Sequence, residues 1–221
     1  KRLVVLLDLD GGKSARESDL AKEIHKSGRD LVTLDLRATG ESAYQRDSVG
    51  RSPDHNTAEW SMWLGRPLLG QWTFDVSRLL DAIEQSSKRS LPKETMLMGV
   101  GGAGLVAILA AAFDRRITRI AAVDLLGSYV SEIPYEGQRL GIMAPGILRD
   151  AGDIAHLASL VAPRKLLIAG GRDSAGGRMS AKALKRNYAY TRQVYAVTGQ
   201  HSAVTVTDSR SPRSILNGLE G

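Results

Sequence analysis

Thr95-Met96-Leu97-Met98-Gly99-Val100-Gly101-Gly102-Ala103-Gly104-Leu105-Val106-Ala107-Ile108-Leu109-Ala110-Ala111-Ala112-Phe113 is the stretch on which the reading of this chain turns. Thr95–Val100 reads as a buried strand and Gly101–Gly104 as a glycine turn. Leu105–Phe113 is a helix apolar on every face, and a helix without a polar face lies inside the protein. Glycines at such a junction allow a positive φ and let strand and helix approach closely. The strand–turn–helix unit therefore belongs to the middle of a layered fold, not to its surface.

The same grammar repeats on both sides. Upstream, Leu3–Leu9 is a strand, Ser18–Lys26 a short helix with Leu20 and Ile24 on one face, and Leu31–Leu36 a second strand. Residues 41–72 are less regular and hold Trp60, Trp63 and Trp72, which read as anchors of a long loop on the core. An amphipathic helix over 74–87 stops before Pro92. Downstream come a strand at Ile117–Val123, a long excursion over 125–163 with a helix at 153–161, and a strand at Leu166–Ala169. A helix over 180–195, a strand at Ala203–Thr207 and a closing helix over 212–219 complete the chain. Strands alternating with helices predict an α/β fold, a mostly parallel sheet flanked by helices on both faces, in one domain over 1–221.

Composition narrows the function classes. The 221 residues carry 30 Lys+Arg against 24 Asp+Glu, a net charge of +6, with 43% apolar side chains. Cysteine is absent, which removes thiol nucleophiles, disulfides and iron–sulfur sites. Only His25, His55, His156 and His201 could supply imidazole, so no metal centre is expected, and no cofactor. The apolar run Leu3–Leu7 falls far short of the ~20 residues that span a bilayer, and no membrane partner is expected. Lys182, Lys185, Arg186, Arg210 and Arg213 form short basic clusters without interleaved aromatics, so they read as solvated faces and not as a nucleic-acid surface. The chain opens directly in a strand, with no Met and no signal-peptide pattern, which reads as a processed product or a domain of a longer chain. Compartment is not legible from such a terminus.

Two functional readings fit the glycine turn. Gly99, Gly101 and Gly104 match the G-x-G-x-x-G of dinucleotide sites, with Asp124 twenty residues further on for a ribose diol. That fingerprint usually opens its domain, whereas two strand units precede it here. In the other reading the turn is a nucleophile elbow, G-x-S-x-G, with Gly101 where serine would stand.

The second frame is carried by other segments. Leu31-Val32-Thr33-Leu34-Asp35-Leu36-Arg37-Ala38-Thr39-Gly40-Glu41-Ser42 resembles the fourth-strand segment of α/β-hydrolases, and Asp10-Gly11-Gly12 falls where they carry a His-Gly-Gly oxyanion loop. Leu64–Gly70 and Leu160–Leu167 resemble segments of bacterial acetyl-xylan-esterase-like and dienelactone-hydrolase-like members, and the likeness covers nearly the whole chain. It implies an α/β-hydrolase fold lacking its usual first strands, and a relative of carboxylic ester hydrolases that act on carbohydrate esters. It also implies a nucleophile at 101, an acid at Asp173, with Asp124 as a less usual position for it, a base at His201, and oxyanion donors at Gly11, Gly12 and Gly102.

Against that expectation, Gly101 has no side chain and no residue from Gly99 to Gly104 carries a hydroxyl. The nucleophile position is vacant, and a non-catalytic, structural role or a role as partner to an active domain on the N-terminal side is expected. The open alternatives are an active carboxylesterase with a relocated nucleophile, for instance Ser128 or Tyr129, and the dinucleotide site. His201 has two placements: after a strand at Gln193–Thr198, or before the final strand if 180–195 is helical.

Overall fold

A computed structural model describes residues 2–87 and 91–220. Six strands form one sheet: β1 (Leu3–Asp8), β2 (Asp30–Thr33), β3 (Thr95–Val100), β4 (Arg119–Val123), β5 (Lys165–Ala169) and β6 (Val204–Thr207). Their order is β2-β1-β3-β4-β5-β6 and every pairing is parallel. A parallel sheet needs both faces covered, and the period-two alternation of side chains divides the strands between two cores. From β1, Leu3, Val5 and Leu7 point to one core and Val4 and Leu6 to the other. From β5, Leu166 and Ile168 face the first and Leu167 and Ala169 the second. Fully burying each of these valines, leucines and isoleucines stabilises the fold by roughly 1.5–3 kcal/mol.

The helices sort accordingly. The smaller core takes α1 (Gly12–Glu17), α2 (Asp19–Lys26) and, at the far end of the chain, Pro212–Glu220. The larger takes α3 (His55–Trp63), α4 (Leu68–Ser87), α5 (Ala103–Phe113), α7 (Ile154–Ser159) and α9 (Ala189–Val197), with the short α6 (Ile147–Asp150) and α8 (Ala181–Asn187) beside them. The Pro212–Glu220 helix is α10. α5 is buried along eight of its eleven residues, as an all-apolar helix must be.

Several boundaries differ from the sequence expectation, each for a local reason. The second strand ends at Thr33, because the Asp35 carboxylate turns inward to accept the N–H groups of Gly12 (2.6 Å) and Glu41 (3.1 Å). The irregular stretch contains α3, and α4 begins at Leu68, six residues before Phe74. The 180–195 helix is two helices joined at Tyr188, whose ring is fully buried. Trp72 is an anchor: it is buried and its indole N–H donates to the Arg37 carbonyl at 2.8 Å. Trp60 and Trp63 are not, being 46% and 73% exposed.

Candidate active site

In this sheet order β1 connects outward to β2 while the chain returns to β3 on the other side, so a crevice opens beyond the C-terminal ends of β1 and β3. Parallel α/β sheets bind ligands at such switch points. The glycine turn lies there. Gly99 is required by close packing, because a Cβ on it would come 2.0 Å from the Ala103 carbonyl oxygen. Gly101 has φ +58°, the left-handed conformation of a strained elbow, yet a Cβ on it would meet nothing within 4 Å. A side chain there would find open space but would have to adopt a φ that L residues rarely take.

Around it lies a cleft of about 260 Å³, lined by Asp8, Asp10, Gly101, Gly102, Gln138 and Arg139 among others. Asp10 is ion-paired with Arg139 and largely exposed. The expected oxyanion donors divide. The Gly11 N–H donates to the Asp8 carbonyl at 3.1 Å and the Gly12 N–H to Asp35, so neither is free for a substrate oxygen. The Gly102 N–H, at the mouth of α5, has no acceptor among the described residues.

The proposed acid and base do not join Gly101. Asp173 closes its own turn, accepting from the N–H of Ala175 (3.0 Å) and Gly177 (2.7 Å). His201 begins a 3-10 turn, His201–Ala203, that precedes β6, and therefore lies at the opposite end of the sheet. The helical placement of the residues before it decides this. His55 borders a neighbouring cleft that shares Gly137, Gln138 and Arg139 with the first; its buried Nδ1 has no hydrogen-bond partner among the described residues and lies 4.0 Å from Glu59 Oε2.

Sequence reasoning reached Asp124, beyond β4, but missed the arginines that meet it from beyond β5 and β6. Stepwise hydrogen bonds carry the sheet edge from strand to strand: Gly101 N–H to Val123 O (2.8 Å), Asp124 N–H to Ala169 O (3.0 Å), Gly170 N–H to Thr207 O (2.7 Å). Asp124 thus adjoins the elbow, and its carboxylate accepts from Arg210 Nε at 2.5 Å and from Arg172 Nη2 at 3.2 Å. Neither arginine was singled out for this, since each meets Asp124 only through the order of strands.

The glycine turn sits on the third strand along the chain, and the Asp124 carboxylate, the ribose partner of the dinucleotide reading, is engaged by two arginines. Ser128 Oγ bonds the Asp153 carboxylate, while His156 Nδ1 accepts the Asp153 N–H at 3.0 Å, so this Ser-Asp-His group lacks a serine–imidazole contact. The Tyr129 hydroxyl donates to the Ile142 carbonyl at 2.6 Å, and burial pushes its pKa further up, away from a nucleophilic phenolate. Among the described residues no serine or threonine hydroxyl bonds a histidine ring, no three carboxylate or imidazole groups gather as a metal site, and no helix is long and apolar enough to cross a membrane.

The architecture is the α/β-hydrolase fold, with its strands three to eight present here as β1 to β6. Among solved structures, the chain is similar to a candidate acetyl xylan esterase from Bacteroides fragilis, with a TM-score of 0.71 and 14% identity, over 95% of this chain and 59% of that one. It is also similar to a carbohydrate esterase family 15 glucuronoyl esterase from Caldicellulosiruptor kristjansonii, with a TM-score of 0.63 and 16% identity, over 99% and 66%. A third, from Thermus thermophilus, gives a TM-score of 0.66 and 19% identity, over 100% and 87%. The chain thus spans less than two thirds of the two named esterases. No family model and no curated protein matches it.

Proposed function

We propose that this chain is a catalytically degenerate α/β-hydrolase-fold domain, derived from carboxylic ester hydrolases of carbohydrates, that now serves as a structural or partner domain. The chemistry of that ancestor is the class named for two of the structural neighbours, acetyl xylan and glucuronoyl esters. One observation carries the reading: the elbow keeps its positive φ and open space at Gly101 but has no oxygen to attack a carbonyl carbon. Two others support it. A hydrolase also needs a base in reach of the nucleophile, and His201 is at the far end of the sheet. It needs two oxyanion donors, and of the three expected only the Gly102 N–H is unengaged.

Incubation of the unaltered chain with p-nitrophenyl acetate, in parallel with a fluorophosphonate probe, tests this. The expected result is release no faster than in a buffer blank and no covalent labelling. Turnover accompanied by labelling overturns the proposal.

A further inference from the structure

We infer that Asp124, not Asp173, is the orienting acid of the vacated triad, and that Arg210 stands in the place of its base. Hydrolysis was then given up at two positions, 101 and 210. The inference rests on the reading of Gly101 as a lost nucleophile.

Three observations carry it. Triads of this fold run nucleophile, acid, base along the chain, with the base on the loop after the last strand. Gly101, Asp124 and Arg210 follow that order, and Arg210 lies three residues past the end of β6. Second, the groups meet. Arg210 Nε donates to Asp124 Oδ1 at 2.5 Å, the contact an imidazole Nδ1–H would make, and Asp124 and Arg210 side chains are only 17% and 22% exposed. Third, the backbone is arranged around the pair. Asp124 has φ +52°, rare for a residue with a Cβ, and Gly170 between them has φ +75°. A Cβ on Gly170 would lie 2.6 Å from Asp124 Oδ1 and 2.8 Å from Arg210 Nε, so only glycine leaves room for them. Asp173, spent on its own turn, has no such setting.

Chemistry explains why the arginine ends catalysis. A guanidinium stays protonated at any working pH and cannot take a proton from a hydroxyl. Its other donors are also used, Nη1 on the Asp208 carbonyl at 2.8 Å and Nη2 near the Gly171 carbonyl at 3.5 Å. With serine at 101 and histidine at 210 the step is balanced. Serine Oγ bonds the ester carbonyl carbon as its proton passes to the imidazole, and the carbonyl electron pair moves to oxygen. Collapse breaks the bond to the alkoxy group, which takes the proton from the imidazolium. Water then repeats the sequence on the acyl-serine. Asp124 would hold the imidazole throughout, a positioning role.

The test compares Gly101→Ser with Gly101→Ser/Arg210→His in p-nitrophenyl acetate hydrolysis and fluorophosphonate labelling. The double variant is expected to exceed the single by about 100-fold, the low end of what a placed general base contributes. Adding Asp124→Asn should remove that gain, whereas adding Asp173→Asn should leave it within about twofold, since only the former changes the tautomer-setting partner. A double variant that melts close to the natural chain yet gains nothing overturns the inference, as does a gain that survives Asp124→Asn or needs Asp173. Should the double variant fold poorly, Arg210→His alone carries the test by NMR. A carboxylate-bonded Nδ1–H, shifted downfield and lost with Asp124→Asn, is expected, and its absence overturns the assignment. Turnover by the unaltered chain would instead overturn the proposed function, so the two failures are distinguishable.

Discussion

The two ends of α5 have been treated in opposite ways. At its C-terminus the Arg164 guanidinium donates to the carbonyls of Ala111 (2.5 Å), Asp114 (3.1 Å) and Ile117 (2.8 Å), covering acceptors that a helix end leaves open. Asp114 there is gripped by Arg116, which also reaches Asp81 and Glu84. At the N-terminus Gly101 has no side chain and the Gly102 N–H has no acceptor among the described residues. The same helix is closed by charge and hydrogen bonds at one end and left open at the other. Openness at the elbow is therefore a property of that site and not of a loosely built molecule, because the closed end lies one helix length away.

That contrast can be broken by substitution. Gly99→Ala forces a Cβ against the Ala103 carbonyl and should cost about 3 kcal/mol, the upper range for overpacking, at the strand that carries the elbow. For a chain of this size each kcal/mol lowers Tm by about 2–4 °C, so a thermal melt reads it. Arg164→Ala removes a donor from three carbonyls, of which Asp114 keeps the Ile117 N–H, and should cost about 2 kcal/mol. Gly101→Ala, by contrast, meets open space and suffers only its left-handed φ, about 1 kcal/mol. If Gly101→Ala melted as low as Gly99→Ala, the elbow would not be the roomy position described.

Acid sharpens the comparison further. The hydrogen bond from Arg116 holds the Asp114 carboxyl below the usual carboxylate range. A depressed pKa in the folded state stabilises above the unfolded value, near about 4, and the benefit is lost as pH falls through the lower folded value. Stability should therefore drop below about pH 4, and Asp114→Asn should flatten that limb while lowering stability at neutral pH by about 1 kcal/mol. Denaturant melts across pH 2 to 7, flanking about pH 4, measure it. An unchanged acid limb in the variant would remove Asp114 from the account.

Which parts of this were legible in the sequence follows from how far apart the deciding residues lie. The strands of the sheet interior were, because β1, β3, β4 and β5 are short apolar runs bounded by Gly, Asp or Arg, and the turn at 99–104 announces close packing by composition. The fold's likeness to hydrolases followed from the same local signals. α4 began earlier than periodicity suggested, since Gly70 and Thr73 look like loop residues and only burial of Leu68, Leu69 and Trp72 makes them helical. The site was less readable. The vacancy at 101 is visible in one residue, but the Asp124–Arg210 contact joins positions 86 apart and exists only because β4, β5 and β6 are neighbours. Asp173 in Gly-Gly-Arg-Asp-Ser gave the same local signal whether it served chemistry or merely its turn, and the structure assigns it to the turn.

The outer strands carry a consequence of their own. β2 and β6, the two rims of the sheet, are each four residues long, and β2 starts with the exposed Asp30. A rim that short, with an anionic group at the start of β2, offers a foreign strand little ladder to extend along the described residues.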